Sequence, residues 1–138
     1  MASYNKFNVF TSDLVNAKHN FGANSFKVML TNTAPVATNA VKADLTEIAA
    51  GNGYTAGGTA TTMTTSTTTG TAKVTASDVV FTAAGGAIAA ARYAVLYNAT
   101  TSGNPLISWW DYGSSITLND TETLTVDFDN TNGIFTVA

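Results

Sequence analysis

The sequence contains no cysteine, only one histidine and only two prolines among its 138 residues. Without cysteine, neither a disulfide framework nor a thiolate metal site can form. No apolar run approaches the length of a membrane span, and no charged segment followed by an apolar one opens the sequence. We therefore expect a fold that its core or its partners stabilise, with no membrane contact and no export by the usual signal.

Charge is also scarce. Only 11% of the residues are charged and the net charge is −3, whereas about 25% is usual. The chain therefore offers no basic stripe, which argues against nucleic-acid binding. With so few charges, electrostatic repulsion does little to oppose association with copies of itself or with other proteins. We expect a homo-oligomer or a protein packed among others.

What the sequence does contain is a large apolar share, 45%, together with abundant Thr, Asn, Ser and Gly. This length and composition suit one domain, residues 1–138, with a real core. The heaviest apolar residues lie in 88–113, where two alternating runs flank a polar break at 98–105. Aromatic and β-branched residues on a period of two are typical of half-buried strands. The pattern predicts a central β-hairpin.

Further alternating segments predict strands at 25–31, 73–81, 122–129 and 134–138, with a tight turn at 130–133 in which Asn132-Gly133 is a good type I′ pair. Residues 43–50 suit a short helix. The only helical rhythm lies at 3–19, where Phe7, Phe10 and Leu14 recur at spacings of three and four, with Ser3 as N-cap. Many short strands without alternating helices predict a mainly β fold: an antiparallel, jelly-roll-like β-sandwich with a short N-terminal helix.

Two segments suggest contacts with a partner. The predicted helix either covers an end of the sheet or docks onto another subunit through Phe7 and Phe10. The segment 59–71, nearly all threonine and without charge, suits an edge strand. Because it lacks the Lys, Pro or inward charge that protects edges, Thr62, Met63 and Thr64 are candidates for sheet extension against a partner. A flexible loop or an ordinary solvent-facing strand is the alternative.

No arrangement of residues indicates catalysis, so we expect no enzyme, no cofactor and no metal requirement. His19 should lie at the surface near the helix end, away from a nucleophile. The glycines of 51–58 (GNGYTAGG) match no phosphate-binding pattern. Asp127 and Asp129 share one face of a predicted strand, and whether they bind a cation stays open.

The aromatic cluster Trp109, Trp110 and Tyr112 is the remaining candidate contact surface. Alternation places Trp109 and Trp110 on opposite faces of a strand, so one core cannot hold both. Either one of them faces a sugar or a neighbouring subunit, or a second covering layer buries both.

The order of several motifs suggests a family. FKVMLT at 26–31, GNGYTAGG at 51–58, ARYAVLYN at 91–98 and PLISWWDYG at 105–113 resemble a set of small tailed-bacteriophage virion proteins of the capsid decoration, or cement, type. The resemblance implies a structural protein that binds the major capsid protein at joints between subunits. It also implies synthesis in the host bacterial cytoplasm and a place on the outer surface of the phage head. The resemblance implies no catalytic residue, and the segment 59–71 is not among the motifs that carry it.

Two other functions remain open at this point. A tail-fibre or receptor-binding module would recognise glycans through exposed aromatics. A small glycan-acting enzyme would need two carboxylates facing each other across a cleft, and the sequence shows no such pair.

Overall fold

The computed structural model describes residues 2–138, which form ten strands and one short α-helix. The strands are β1 (Ser3–Lys6), β2 (Phe26–Thr31), β3 (Thr59–Thr61), β4 (Met63–Thr68), β5 (Thr71–Ala76), β6 (Val79–Thr82), β7 (Ile88–Asn98), β8 (Leu106–Leu118), β9 (Thr123–Val126) and β10 (Phe135–Val137). The helix, α1, spans Asn8–Val15, and a 3₁₀ turn spans Lys42–Asp44.

All the strand pairs are antiparallel, and they form three sheets. The largest has the order β1-β8-β7-β2-β3, the second β10-β5-β4, and the third joins β6 to β9. Strands β7 and β8 are the two longest, and they pair at the centre of the large sheet. The predictions of a mainly β antiparallel fold and of a central hairpin are therefore confirmed.

The two faces of the large sheet are buried to different extents. One face, which we call the inner face, carries Phe26, Val28, Leu30 and Leu96 and joins a core with Val74, Val79 and Phe81 of the smaller sheets. The opposite, outer face carries Met29, Val95 and Leu106, which pack with Phe7, Val9 and Leu45 in a smaller cluster. Because both faces are covered, β2 is an almost continuous apolar run rather than a strict alternation.

The N-terminal segment differs from the prediction of a helix over 3–19. Residues Ser3–Lys6 form β1, which pairs with Ser108–Asp111 of β8, so Ser3 is not an N-cap. The helix begins only after Phe7 and ends at Val15. The prediction failed because a strand partner about a hundred residues away overrode the local helical periodicity.

Three other local predictions were wrong in part. The segment 73–81 is divided into β5 and β6, and 43–50 forms no helix beyond the 3₁₀ turn at Lys42–Asp44. The turn predicted at 130–133 is present, with Gly133 N–H donating to Asp129 O at 2.8 Å, but it closes no hairpin, because β9 pairs with β6 whereas β10 pairs with β5. In each of these segments the structure depends on contacts with residues distant in sequence, which periodicity alone does not show.

Candidate functional site

Strand β8 carries a bulge on which the candidate site is built. Ala91 of β7 pairs with Ile116, but Tyr93, two residues later, pairs with Asp111. Four β8 residues, 112–115, therefore lie opposite the single residue Arg92 and leave the ladder, and Gly113 adopts a φ of 102° that favours glycine. Bulges of this kind bend a strand and re-aim a side chain. Here the bulge leaves Tyr112 56% exposed.

An ion pair fixes the base of the bulge. Arg92 of β7 donates from Nε and Nη2 to the two carboxylate oxygens of Asp111, at 2.8 and 3.0 Å, while Gly113 N–H donates to Asp111 Oδ1 at 2.8 Å. The Arg92 bonds and the Gly113 bond lower the pKa of Asp111. A two-pronged Arg–carboxylate contact adds geometric definition as well as attraction. The pair therefore holds the backbone on both sides of Tyr112.

Beside the bulge lies a groove of about 680 Å³ between the large sheet and the segment from β9 towards β10. We call this space the aromatic groove. Its lining residues include the aromatic residues Tyr4, Tyr93, Trp110, Tyr112 and Phe128 and the charged residues Arg92, Asp127 and Asp129. The volume lies within the range of about 300–1,000 Å³ that is usual for small-molecule sites.

The aromatic rings of the groove support one another. Trp110 packs edge-to-face against Tyr4, with ring centroids 5.7 Å apart, and against Phe128, with centroids 5.2 Å apart. Tyr4 lies directly opposite Trp110 in the β1–β8 ladder, which brings the start of the chain into the site. Edge-to-face pairs are favourable, so Trp110 is held in a defined position.

The acidic side of the groove is asymmetric. Asp129 accepts hydrogen bonds from Asn132 N–H, Asn132 Nδ2 and Thr131 N–H, and these bonds lower its pKa. Asp127 is exposed and takes part in none of the three salt bridges formed within residues 2–138. Both residues lie beyond the end of β9 and not on a strand face as expected, although they line the same groove. Of the two carboxylates, only that of Asp127 remains available to bind a ligand.

The two tryptophans lie on opposite faces of the large sheet. Trp109 packs against the outer cluster, 4.5 Å from Phe7 between ring centroids, whereas Trp110 borders the main core. Each is half-buried. Of the three aromatic candidates, the structure brings Trp110 and Tyr112 into one groove and leaves Trp109 outside it.

Phe7 and Phe10 are not exposed contact residues, which corrects the proposal that they dock onto a partner. Phe7 is 0% exposed and Phe10 4% exposed. Phe7 belongs to the outer cluster, and Phe10 packs in the main core against Phe21 and Phe135. Replacing either residue with Ser would damage the core and would not test an interface.

The threonine-rich segment does form an edge. β4 pairs with β5 on one side and with no strand described by the structure on the other, and Thr64 is exposed. Thr62, also exposed, lies at the corner where the chain passes from β3 to β4, and its N–H donates to Ser77 Oγ at 2.9 Å. Met63 is half-buried against the main core. The exposed candidates here are therefore Thr62, Thr64 and the threonines that follow.

The GNGYTAGG turn has a structural role. Glu47 Oε1 accepts a hydrogen bond from Tyr54 Oη at 2.7 Å and another from Gly57 N–H, while Lys42 Nζ donates to Oε2 at 2.8 Å. Burial alone would raise the pKa of Glu47, but these three bonds lower it on balance. Tyr97 Oη donates to Gly57 O at 2.6 Å, and burial raises the pKa of Tyr97 to about 12. Since the chain's own groups occupy these contacts, the turn serves the fold.

His19 is buried, contrary to the expected surface position. It is 7% exposed, lies among Phe10, Phe21 and Phe26, and its Nδ1 is 3.2 Å from Asn98 Nδ2. Burial lowers its pKa. The sequence could not show this, because Asn98 comes from the far end of β7.

Tyr4, Arg92 and the bulge of β8 were not identified as site residues from the sequence. The glycine of the WWDYG motif is the one signal of a bulge, because a glycine inside a strand pattern often marks one. Tyr4 and Trp110 lie close together because of the strand register, and the sequence of neither segment indicates that register.

Comparison with known proteins found no matching family model, no matching curated protein and no matching solved structure. Within residues 2–138, no helix is both long and apolar enough to cross a membrane. The same residues bring together no group of three or more His, Asp or Glu side chains that could hold a metal ion.

Proposed function

We propose that this protein is a structural virion protein: a capsid decoration, or cement, protein of a tailed bacteriophage. It binds the major capsid protein and copies of itself at joints between subunits on the outer surface of the head. Its fold is a jelly-roll-like sandwich, with the large sheet as one layer and the two smaller sheets as the other. The role requires no catalytic residue and no cofactor. The sequence motifs at 26–31, 51–58, 91–98 and 105–113 support this assignment.

The observation that carries the proposal is the free edge of β4. The backbone N–H and C=O groups of an edge strand are a template for another chain, and most proteins protect such edges with charge or proline. β4 contains neither, and Thr64–Thr68 are all exposed. Addition of a strand from a neighbouring subunit would pair these groups and extend the β10-β5-β4 sheet.

Such an edge gives a physical basis for cementing. A protein that binds only the assembled shell stabilises that shell by mass action. Because β4 is uncharged, the contact needs no complementary ion pairs, and two neighbouring copies would not repel each other there.

Lysine substitutions on β4 test this contact. Thr64→Lys with Thr68→Lys places charges opposite Thr75 and Thr71 of β5 and avoids Ser66, which faces Lys73. The matched control, Val15→Lys with Val36→Lys, adds the same charge at positions that are 81% and 54% exposed. We expect the β4 variant to fold but to lose attachment to capsids stripped of this protein, and the control to attach. Unchanged attachment of the β4 variant would exclude β4 as the contact.

The copy number in purified virions tests the location. We expect quantitative mass spectrometry to give a ratio to the major capsid protein of comparable order. A ratio matching tail components would instead favour a tail-fibre or receptor-binding module, which the presence of Trp110 and Tyr112 in one groove also supports. Absence from virions would contradict both functions.

A further inference from the structure

We infer that the aromatic groove is a binding site for a neutral oligosaccharide. The inference stands apart from the edge of β4, because the groove is lined by β1, β7, β8 and the segment after β9. It holds whether the protein lies on the head or on the tail.

The shape of the groove argues first for a ligand. Tyr112 is 56% and Tyr4 41% exposed, yet both line the same space as the half-buried Trp110. Exposed aromatic side chains that converge on one concave site are typical of a ligand-binding groove. Sugar rings present apolar C–H faces, and flat aromatic rings are the side chains on which such faces pack.

The bulge of β8 gives the second argument. Tyr112 does not continue the β8 ladder; residues 112–115 leave it, and Asp111 anchors them through Arg92 and Gly113 N–H. A regular strand needs no such ion pair to hold its backbone in place. Here the Arg92–Asp111 pair and the positive-φ Gly113 hold Tyr112 outside the ladder, as bulges beside binding sites do.

The charges in the groove select the class of sugar. Asp127 offers a free carboxylate, which suits the paired hydroxyls of a sugar as a hydrogen-bond acceptor. Among residues 2–138, the one cation that lines the groove is Arg92, which is already engaged by Asp111, and Asp129 adds a further negative charge. An acidic sugar would therefore meet carboxylates and no free cation from these residues, which is unfavourable. Among oligosaccharides, a neutral one therefore fits the groove better than an acidic one.

Titration calorimetry of the full chain tests the inference, with maltotriose, cellotriose and N,N′,N″-triacetylchitotriose as neutral probes and trigalacturonate as the acidic one. We expect at least one neutral probe to bind and trigalacturonate to bind none or far more weakly. Tyr112→Ala should weaken binding by about threefold to tenfold, the usual worth of an aromatic contact. Asp127→Ala should weaken it by about tenfold or more. Both side chains are exposed, so both variants should remain folded.

Val80→Ala is the matched control, because Val80 is 50% exposed and lies outside the groove. Its affinity should equal that of the unmodified protein. Tryptophan fluorescence gives an independent signal, since Trp110 lines the groove and Trp109 does not. The inference is overturned if no neutral probe binds up to about 10 mM, where a Kd of ~1 mM would be visible. It is also overturned if trigalacturonate binds best, or if neither variant changes the affinity.

Discussion

At the scale of single residues, His19 is a titratable group buried among apolar neighbours. Three phenylalanine rings surround it, and its Nε2 and the buried Asp13 Oδ2 have no hydrogen-bond partner within residues 2–138. Lys18 Nζ lies 2.9 Å from Asp13 Oδ1. Burial lowers the pKa of His19; the attraction of Asp13 opposes this shift and the repulsion of Lys18 adds to it.

This arrangement predicts a stability that falls in mild acid. Because the pKa of His19 is lower in the folded protein than its usual value near 6.5, the unfolded chain takes up the proton first. The contribution is fully present above that usual value and is lost as the pH falls through the folded pKa. We expect urea unfolding to give a smaller free energy of unfolding at pH 5 than at pH 7.

His19→Gln is the variant that isolates this effect, because the glutamine side chain stays neutral over the whole pH range. Because the substitution itself also changes the stability at pH 7, the slope of the free energy of unfolding between pH 7 and pH 5 is the quantity to compare. We expect a flatter slope in the variant. An identical slope in both proteins would show that His19 is not the titrating group.

At the scale of elements, the hairpin of β4 and β5 contains a residue that does not suit its position. Thr68 pairs with Thr71, so Thr69 and Gly70 form a two-residue turn, and their φ angles are 50° and 79°. Two positive φ angles define the type I′ turn, which favours Asn-Gly. A β-branched residue such as Thr69 is strained there.

Thr69→Asn should therefore stabilise the protein, by about 0.5–1 kcal/mol, since an αL conformation in an unsuited residue costs on the order of 1 kcal/mol. Chemical denaturation gives the change in the free energy of unfolding. The same substitution at Thr65, which lies within β4, is the control and should be neutral or destabilising, because Asn is unfavourable in strands. Equal effects at both positions would contradict the turn assignment.

The elements differ in how well the sequence predicted them. Period-two alternation located β2, β7 and the start of β8, because those strands are long or border the core on both sides. The Thr-rich edge was located through propensity alone. The N-terminal strand, the break between β5 and β6 and the buried His19 could not be found. Each depends on a partner distant in sequence, such as Ser108 for Lys6 or Asn98 for His19.

The candidate site shows the same division. Trp110 and Tyr112 were recognised because aromatic clusters stand out in a sequence. Tyr4, Arg92 and the free carboxylate of Asp127 join them only through strand register and the loop after β9. No local sequence pattern indicates that these residues come together.

At the scale of the whole molecule, electrostatics contributes little to stability. Residues 2–138 form three salt bridges: both partners of Arg92–Asp111 are partly exposed, and Lys18 is 51% exposed although its partner Asp13 is buried. Exposed pairs are worth about 0.2–1 kcal/mol each and are screened by salt. Apolar burial on both faces of the large sheet supplies the main stabilisation.

Raising the ionic strength from low to physiological should therefore change the free energy of unfolding by less than about 1 kcal/mol. Urea titrations at two NaCl concentrations measure this, with KCl as a check against effects specific to one cation. A loss well above that size would mean that the ion pairs, Asp13–Lys18 above all, carry more of the stability than their exposure indicates.

The pairing of β1 with β8 has a consequence for how the protein is made. Residues Ser3–Lys6 leave the ribosome before their partners, Ser108–Asp111, which are more than a hundred residues behind them. Until those partners emerge, Tyr4 has no Trp110 to pack against, and the large sheet lacks its edge. Pairings between distant segments form slowly. The aromatic groove therefore comes into existence only after β8 and the segment after β9 have been synthesised, and a truncated chain that stops before β8 would lack it altogether.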